Sequence, residues 1–266
     1  MPAVGAARRS PESLSNSATQ EVNSVKHIRT FTLLIGLMVV LTTGCRGAIT
    51  TASPTEEAYA PAIDPANFVT TIDNPYMPLI PGTTFIYEGE TEKGNEHNEV
   101  YVSSETKVVL GVTCIVVKDT VMVDGVLEEA TLDWYAQDRQ GNVWYFGEDS
   151  KEYENGAVVS TQGSWEAGVD GAQPGIVMKA KPTVGDTYRQ EYYKGEAEDW
   201  ATVLSLSESA SVHTGSYSDV LMTKEWSALD TPPVYEHKYY AQGVGFVMTK
   251  YVEGGFELEL IEIRHQ

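Results

Sequence analysis

The residues best placed to do chemistry lie between Trp134 and Trp226, a stretch that holds all five tryptophans of the chain. Within it, residues 164–175 read SWEAGVDGAQPG, three glycines and a proline among polar and aromatic side chains. That composition makes a loop longer than a hairpin requires. Carboxylates flank it on both sides: Glu148, Asp149, Glu152 and Glu154 before it, then Tyr192-Tyr193 followed by Glu196, Glu198 and Asp199. Aromatic rings beside carboxylates suit sugar binding, and a carboxylate pair is what glycoside hydrolysis uses. Clustered oxygens also suit calcium, a hard cation that takes about six to eight of them. The candidate ligand-binding residues are therefore Trp165, Glu166, Asp170, Tyr192, Glu196, Glu198 and Asp199, with Glu148, Asp149 and Glu152 as calcium candidates. A plainer reading competes: the tryptophans pack a core, and the carboxylates coat a solvated surface.

Other chemistries lack their spacing. The sequence contains no H-E-x-x-H, no G-x-S-x-G elbow, no Walker loop and no EF-hand, and Gly243-Val244-Gly245 lacks the third glycine of a dinucleotide loop. On a strand His97 and Glu99 share a face, as do Tyr235 and His237, which is at most half of a metal site. Cys114 alternates with Val112 and Val116 and reads as a buried core thiol. No catalytic residue and no cofactor other than calcium is assigned, and a non-enzymatic role is expected.

These residues must be positioned by strands. β-branched runs and turn signals recur every 8 to 15 residues, with no helical pattern of three turns. Strands are predicted over 83–88, 100–110, 112–123, 127–136, 143–146, 157–159, 187–193, 200–206, 217–226, 235–241, 246–252 and 256–263. Asp124-Gly125 and Asn155-Gly156 are two-residue hairpin signals. The expected fold is all-β: an antiparallel meander forming a strongly curved sheet or partly closed barrel, since so many flat strands would leave exposed edges. A two-sheet β-sandwich is the alternative.

The N-terminal part carries an address. Lys26, His27 and Arg29 precede an uncharged run, FTLLIGLMVVL, which is followed by Thr42-Thr43-Gly44-Cys45. The run is shorter than the about 20 residues that span a bilayer and reads as a signal-peptide core. A small residue before cysteine resembles the bacterial lipobox, in which the thiol is acylated and becomes the new N-terminus. The chain then divides into an N-terminal extension (1–24), a lipoprotein signal (25–44), a lipidated Cys45 with a flexible tether (45–60), and one β-rich extracytoplasmic domain (61–266). The partner this implies is a lipid bilayer, held through the acylated cysteine, because each buried methylene contributes about 0.8 kcal/mol.

Charge narrows the remaining partners. Against 18 basic residues stand 38 acidic ones, a net of −20. Four basic and two acidic residues precede Cys45, so the chain from Cys45 onward carries −22. Such a surface repels phosphate backbones and excludes nucleic acid as a partner. A small molecule, a glycan or a protein remains as the ligand class.

Several segments carry a resemblance: 73–88 (DNPYMPLIPGTTFIYE), 133–138 (DWYAQD), 141–149 (GNVWYFGED), the 165–175 loop, 188–193 (YRQEYY) and 239–245 (YYAQGVG). Together they resemble a family of uncharacterised secreted or lipid-anchored bacterial proteins over roughly residues 64–255. The resemblance implies a β-rich extracytoplasmic domain and carries over no catalytic residue. The expected function is thus a membrane-anchored extracytoplasmic lipoprotein with a ligand-binding, partner-binding or envelope structural role. The alternative is a carboxylate-dependent hydrolase acting on glycans. An apolar barrel lumen would instead point to a carrier of lipid-like ligands.

Overall fold

A computed structural model of the protein describes residues 59–91 and 93–265. The N-terminal extension, the signal segment, Cys45 and nearly all of the tether lie outside the described residues. A 3-10 turn at Pro65–Asn67 is capped by Asp64, whose carboxylate accepts from the Ala66 amide at 3.0 Å. It leads into β1 (Phe68–Val69) and a small hairpin of β2 (Ile72–Asn74) and β3 (Met77–Leu79). Five strands then form a meander: β4 (Thr83–Thr91), β5 (Gly94–Val109), β6 (Val112–Val123), β7 (Val126–Asp138) and β8 (Val143–Glu154). Short pieces follow: β9 (Ala157–Ser160), β10 (Trp165–Glu166), β11 (Gln173–Met178), β12 (Thr187–Arg189) and β13 (Glu191–Tyr192). A second meander comprises β14 (Asp199–Val212), β15 (Gly215–Ser227), β16 (Glu236–Ala241), β17 (Gly245–Tyr251) and β18 (Glu257–His265).

Thirteen of these strands form one antiparallel path, β12-β14-β15-β16-β17-β18-β4-β5-β6-β7-β8-β11-β13, so the described domain is a nearly closed barrel and not a two-sheet sandwich. Alternation drives the curvature. In β6, Ile115 and Val117 pack inward while Cys114 and Val116 pack outward into a second apolar cluster. Asp124 and Gly125 take φ of 49° and 78°, the left-handed pair that a tight hairpin turn needs.

Closure depends on six residues. Thr187–Arg189 pairs with β14, Gln190 donates its amide to the Asp199 carbonyl at 2.8 Å, and Glu191–Tyr192 pairs with β11. One segment therefore stitches both ends of the sheet together, where the sequence pattern predicts a single strand over 187–193. Gly175 makes the stitch sterically accessible, since a Cβ there would lie 2.3 Å from the Gln190 carbonyl carbon. In the middle of the sheet path β4 pairs with β18, Thr83 facing His265.

The β2–β3 hairpin plugs one end of the barrel. Ile72, Tyr76 and Leu79 join the inner core, and Asn74 Nδ2 donates to the carbonyls of Gly141 (2.8 Å) and Lys179 (3.2 Å). Gln242 holds the Tyr76 hydroxyl at 2.9 Å. Outside the barrel, Phe68, Trp165, Ala167 and Ala172 cover β6–β8 and build the second cluster around Phe146 and Trp134. The 164–175 stretch is thus a cover, partly strand at β10, rather than a free loop. Among the described residues no helix is long and apolar enough to cross a membrane.

Candidate functional site

The strand registers collect charge inside the barrel. Val117, Asp133 and Glu148 are cross-strand neighbours in one inward row of β6, β7 and β8. On the far wall Ala201, Glu225 and Glu236 form a second row across β14, β15 and β16. Lys238 stands two residues from Glu236 and so shares its inward face.

A bulge decides which side chains meet. Asp133 pairs with Glu148, but Tyr135 pairs with Tyr145, so β8 carries one extra residue between those pairs. The slack falls at Gly147, at φ 133°, where a Cβ would lie 2.3 Å from the Trp165 carbonyl oxygen. Tyr145 and Glu148, three apart and destined for opposite faces of a regular strand, consequently both face inward. The Tyr145 hydroxyl donates to Asp133 Oδ1 at 2.5 Å and reaches Glu148 Oε2 at 3.1 Å. The Tyr145 ring stacks on Tyr135 at 4.8 Å.

Two adjoining cavities of 490 and 430 Å³ occupy the lumen. Their common wall is Tyr135, Val177, Gln190, Glu225, Glu236 and Lys238. The outer chamber adds Glu148, Glu191, Asp199 and Asp230, with Trp226 and Val234 at its rim; the inner chamber adds Glu96 and Asp119. Eight carboxyl groups thus border the two chambers, and one ammonium. Both volumes fall in the range of small-molecule sites, about 300–1,000 Å³.

Enclosure sets the protonation of these groups. Burial, reinforced by Asp133 and Glu129, pushes the Asp119 carboxyl up to about 8, although Asn98 donates to it at 2.9 Å. Burial pushes Asp133 up to about 7 against the opposing Tyr145 hydrogen bond, and Glu148 likewise to about 7. Glu191 is raised well above the carboxylate range by burial and by Asp199 and Glu148, even though Trp165 Nε1 donates to it at 2.8 Å. Glu225 behaves oppositely. Burial works against its charge, but the Lys238 ammonium outweighs it, together with hydrogen bonds from Thr223 (2.7 Å) and Tyr240 (3.0 Å). Lys238 Nζ lies 3.1 Å from Glu225 and 3.7 Å from Glu236, and these carboxylates hold its charge despite burial.

The sequence-derived candidates are dispersed. Asp199 and Glu148 reach the lumen, and Trp165 stands behind it, bonded to Glu191. Tyr192 and Glu198 gather instead on Arg189 at the outer seam, with Tyr59 and Trp200: the guanidinium lies 4.5 Å from the Tyr192 ring and 3.6 Å from Glu198. Glu166 pairs with Lys107 at 2.8 Å on the outer face. Asp170 is an exposed turn residue at φ 49°, and Glu196 is exposed in the turn after Tyr193. Of the calcium candidates, Asp149 faces away from Glu148 and pairs with Lys151 at 2.7 Å, while Glu152 is exposed. Among the described residues no three His, Cys, Asp or Glu side chains gather as a metal-ligating group. His97 bonds Glu88 (3.1 Å) and Glu99 (3.4 Å), and Cys114 is fully buried, burial pushing its thiol up to about 12.

Asp119, Asp133, Glu191, Glu225 and Lys238 escape a reading based on local composition. A signal exists for Asp119, an acid in phase with Ile115 and Val117 on an otherwise apolar inward face.

Carboxyl groups crowd the outer chamber, whereas apolar and aromatic side chains, Leu79, Phe85, Val100, Phe246 and Leu258 among them, make up most of the inner one. Between Asp133 and Glu148 stands the Tyr145 phenol, where a glycosidase pair would leave room for a glycosidic oxygen and a water.

Comparison with protein families finds no match for this sequence, and comparison with curated proteins finds none either. Two solved structures share a loose likeness. One is a Bacteroides fragilis NCTC 9343 protein described as exported and YmcC-like in fold, with TM-score 0.41 and 12% identity over 71% of this chain and 98% of that one. The other, from Parabacteroides distasonis ATCC 8503, is described as a lipoprotein, with TM-score 0.40 and 12% identity over the same shares. Likeness at this level carries no functional argument.

Proposed function

We propose that the chain is an extracytoplasmic binding protein, tethered to a membrane through acylated Cys45, whose barrel lumen takes up a small cationic ligand. The observation that carries this reading is the imbalance of eight carboxyl groups against one ammonium around the lumen. Carboxylates taken out of bulk water are stabilised by hydrogen bonds, protons or cations. Protons serve up to about pH 7 at Glu148 and about pH 8 at Asp119. Above these values, each acid that ionises leaves a charge that an incoming cation compensates. Tyr135 and Tyr145 supply ring surfaces that attract cations at the same walls.

The tether rests on the cysteine that follows the apolar run at 31–41. Calcium, the cofactor considered from the sequence, is one member of the cation class.

The test is a thermal-shift comparison of propylammonium, propanol and propionate, three solutes of one size and different charge. The cation is expected to raise the melting temperature by at least about 3 °C at saturating concentration. Glu148→Gln/Glu191→Gln should abolish most of that rise. Equal responses to all three solutes would reject the reading.

A further inference from the structure

The lumen is not one space but two, and Lys238 stands where they join. We propose that its ligand is a linear aliphatic diamine or polyamine, lying across the junction with one ammonium in the outer chamber and another in the inner chamber. This inference rests on the cationic-ligand reading and specifies the ligand's class.

Two observations converge on it. First, Lys238 is itself an ammonium on an alkyl stem, and Glu225 and Glu236 hold it at 3.1 and 3.7 Å. The protein therefore already demonstrates how this lumen accommodates a primary ammonium beside apolar wall. Second, each chamber keeps carboxyl groups that Lys238 does not pair with: Glu148, Glu191 and Asp199 outside, Glu96 and Asp119 inside. A monoammonium ligand would meet only one of these groups.

The walls between the two groups fit a hydrocarbon spacer. Val177 and Tyr135 border both chambers, and Phe85 and Phe246 line the inner one. An inorganic cation has no use for that surface. A divalent ion also needs several oxygens converging on one point, and no such group occurs among the described residues.

Calorimetric titration of the full chain at about pH 8 and about 0.15 M salt tests this, with spermidine, propylamine and calcium chloride as the probes. Spermidine is expected to bind saturably, at one site per chain, at least about tenfold more tightly than propylamine. Glu96→Gln and Asp119→Asn, conservative changes in the inner chamber, should each weaken spermidine several-fold and leave propylamine unchanged. If propylamine binds as tightly as spermidine, or both variants leave spermidine unaffected, the two-chamber inference fails while the cationic reading stands. If neither amine binds, the cationic reading fails with it. Calcium binding more tightly than either amine would overturn the inference in favour of an inorganic ion.

Discussion

The Tyr145 hydroxyl lies 2.5 Å from Asp133 and 3.1 Å from Glu148. A phenol has one proton to give. With Asp133 accepting it, the Glu148 contact is satisfied best when Glu148 holds a proton of its own and donates it to the phenol oxygen. Burial, which pushes Glu148 up to about 7, supplies that proton at neutral pH. The barrel wall therefore stores protons where a surface of the same composition would be fully ionised.

Stability should accordingly fall as pH rises. Asp119 keeps its proton to about 8, and Asp133 and Glu148 keep theirs to about 7. In the unfolded chain such groups release protons near about 4. Between those limits the folded state binds more protons than the unfolded one, so raising pH favours unfolding. Glu225 has the opposite sign: its folded pKa is lowered, and its contribution is lost as pH falls below the ordinary carboxylate range. The melting temperature should be highest at about pH 5 and lower at about pH 8.5 by several degrees, and Asp119→Asn should flatten that slope. A melting temperature that rises steadily to pH 8.5 would show that these acids are not held protonated.

Gly175→Ala should open the seam. The added Cβ would fall on the Gln190 backbone, which has no flexible end to swing aside. A loss of about 2–3 kcal/mol in urea unfolding is expected. Hydrogen exchange should quicken first over residues 187–192, the segment that joins β14 to β11. Unchanged exchange there would mean that closure does not depend on this approach.

Glu225→Leu leaves Lys238 without its nearer carboxylate in an enclosed site. The single substitution should destabilise by about 3 kcal/mol, and adding Lys238→Met should recover most of it, because removing both charges also removes the unpaired one. A double variant no better than the single would argue that Glu225 matters through Thr223 and Tyr240 instead.

Cys45→Ala tests the tether. Fractionation of cells expressing the full chain should move the protein from the membrane to the soluble extracytoplasmic fraction, since the anchor is the acyl group and not the polypeptide. Continued retention would mean that another segment holds it.

The fold class was legible because its signals are local. β-branched alternation in 112–123 and the Asp124-Gly125 turn depend on neighbours in the sequence. The lumen was not, for two physical reasons. The bulge at Gly147 shifts phase within β8, so period-two reading puts Tyr145 and Glu148 on opposite faces. The second reason is distance: Glu148 and Glu225 come from opposite ends of the sheet path, and only closure makes them walls of one space. Tyr192 and Glu198 looked like binding residues for a related reason. Their aromatic and acidic character serves Arg189, whose position on the seam could not be read from spacing.

The pairing of β4 with β18 has a consequence for how the chain matures. Thr83 and His265 are 182 positions apart, and their strands are neighbours in the middle of the sheet path. The hairpins on either side pair residues close in sequence, whereas β4 finds its second partner only once residues 257–265 exist. Loops of that span close late and slowly. The seam at 187–192 joins strands nearer in sequence, so β18 is the slower clasp of the vessel.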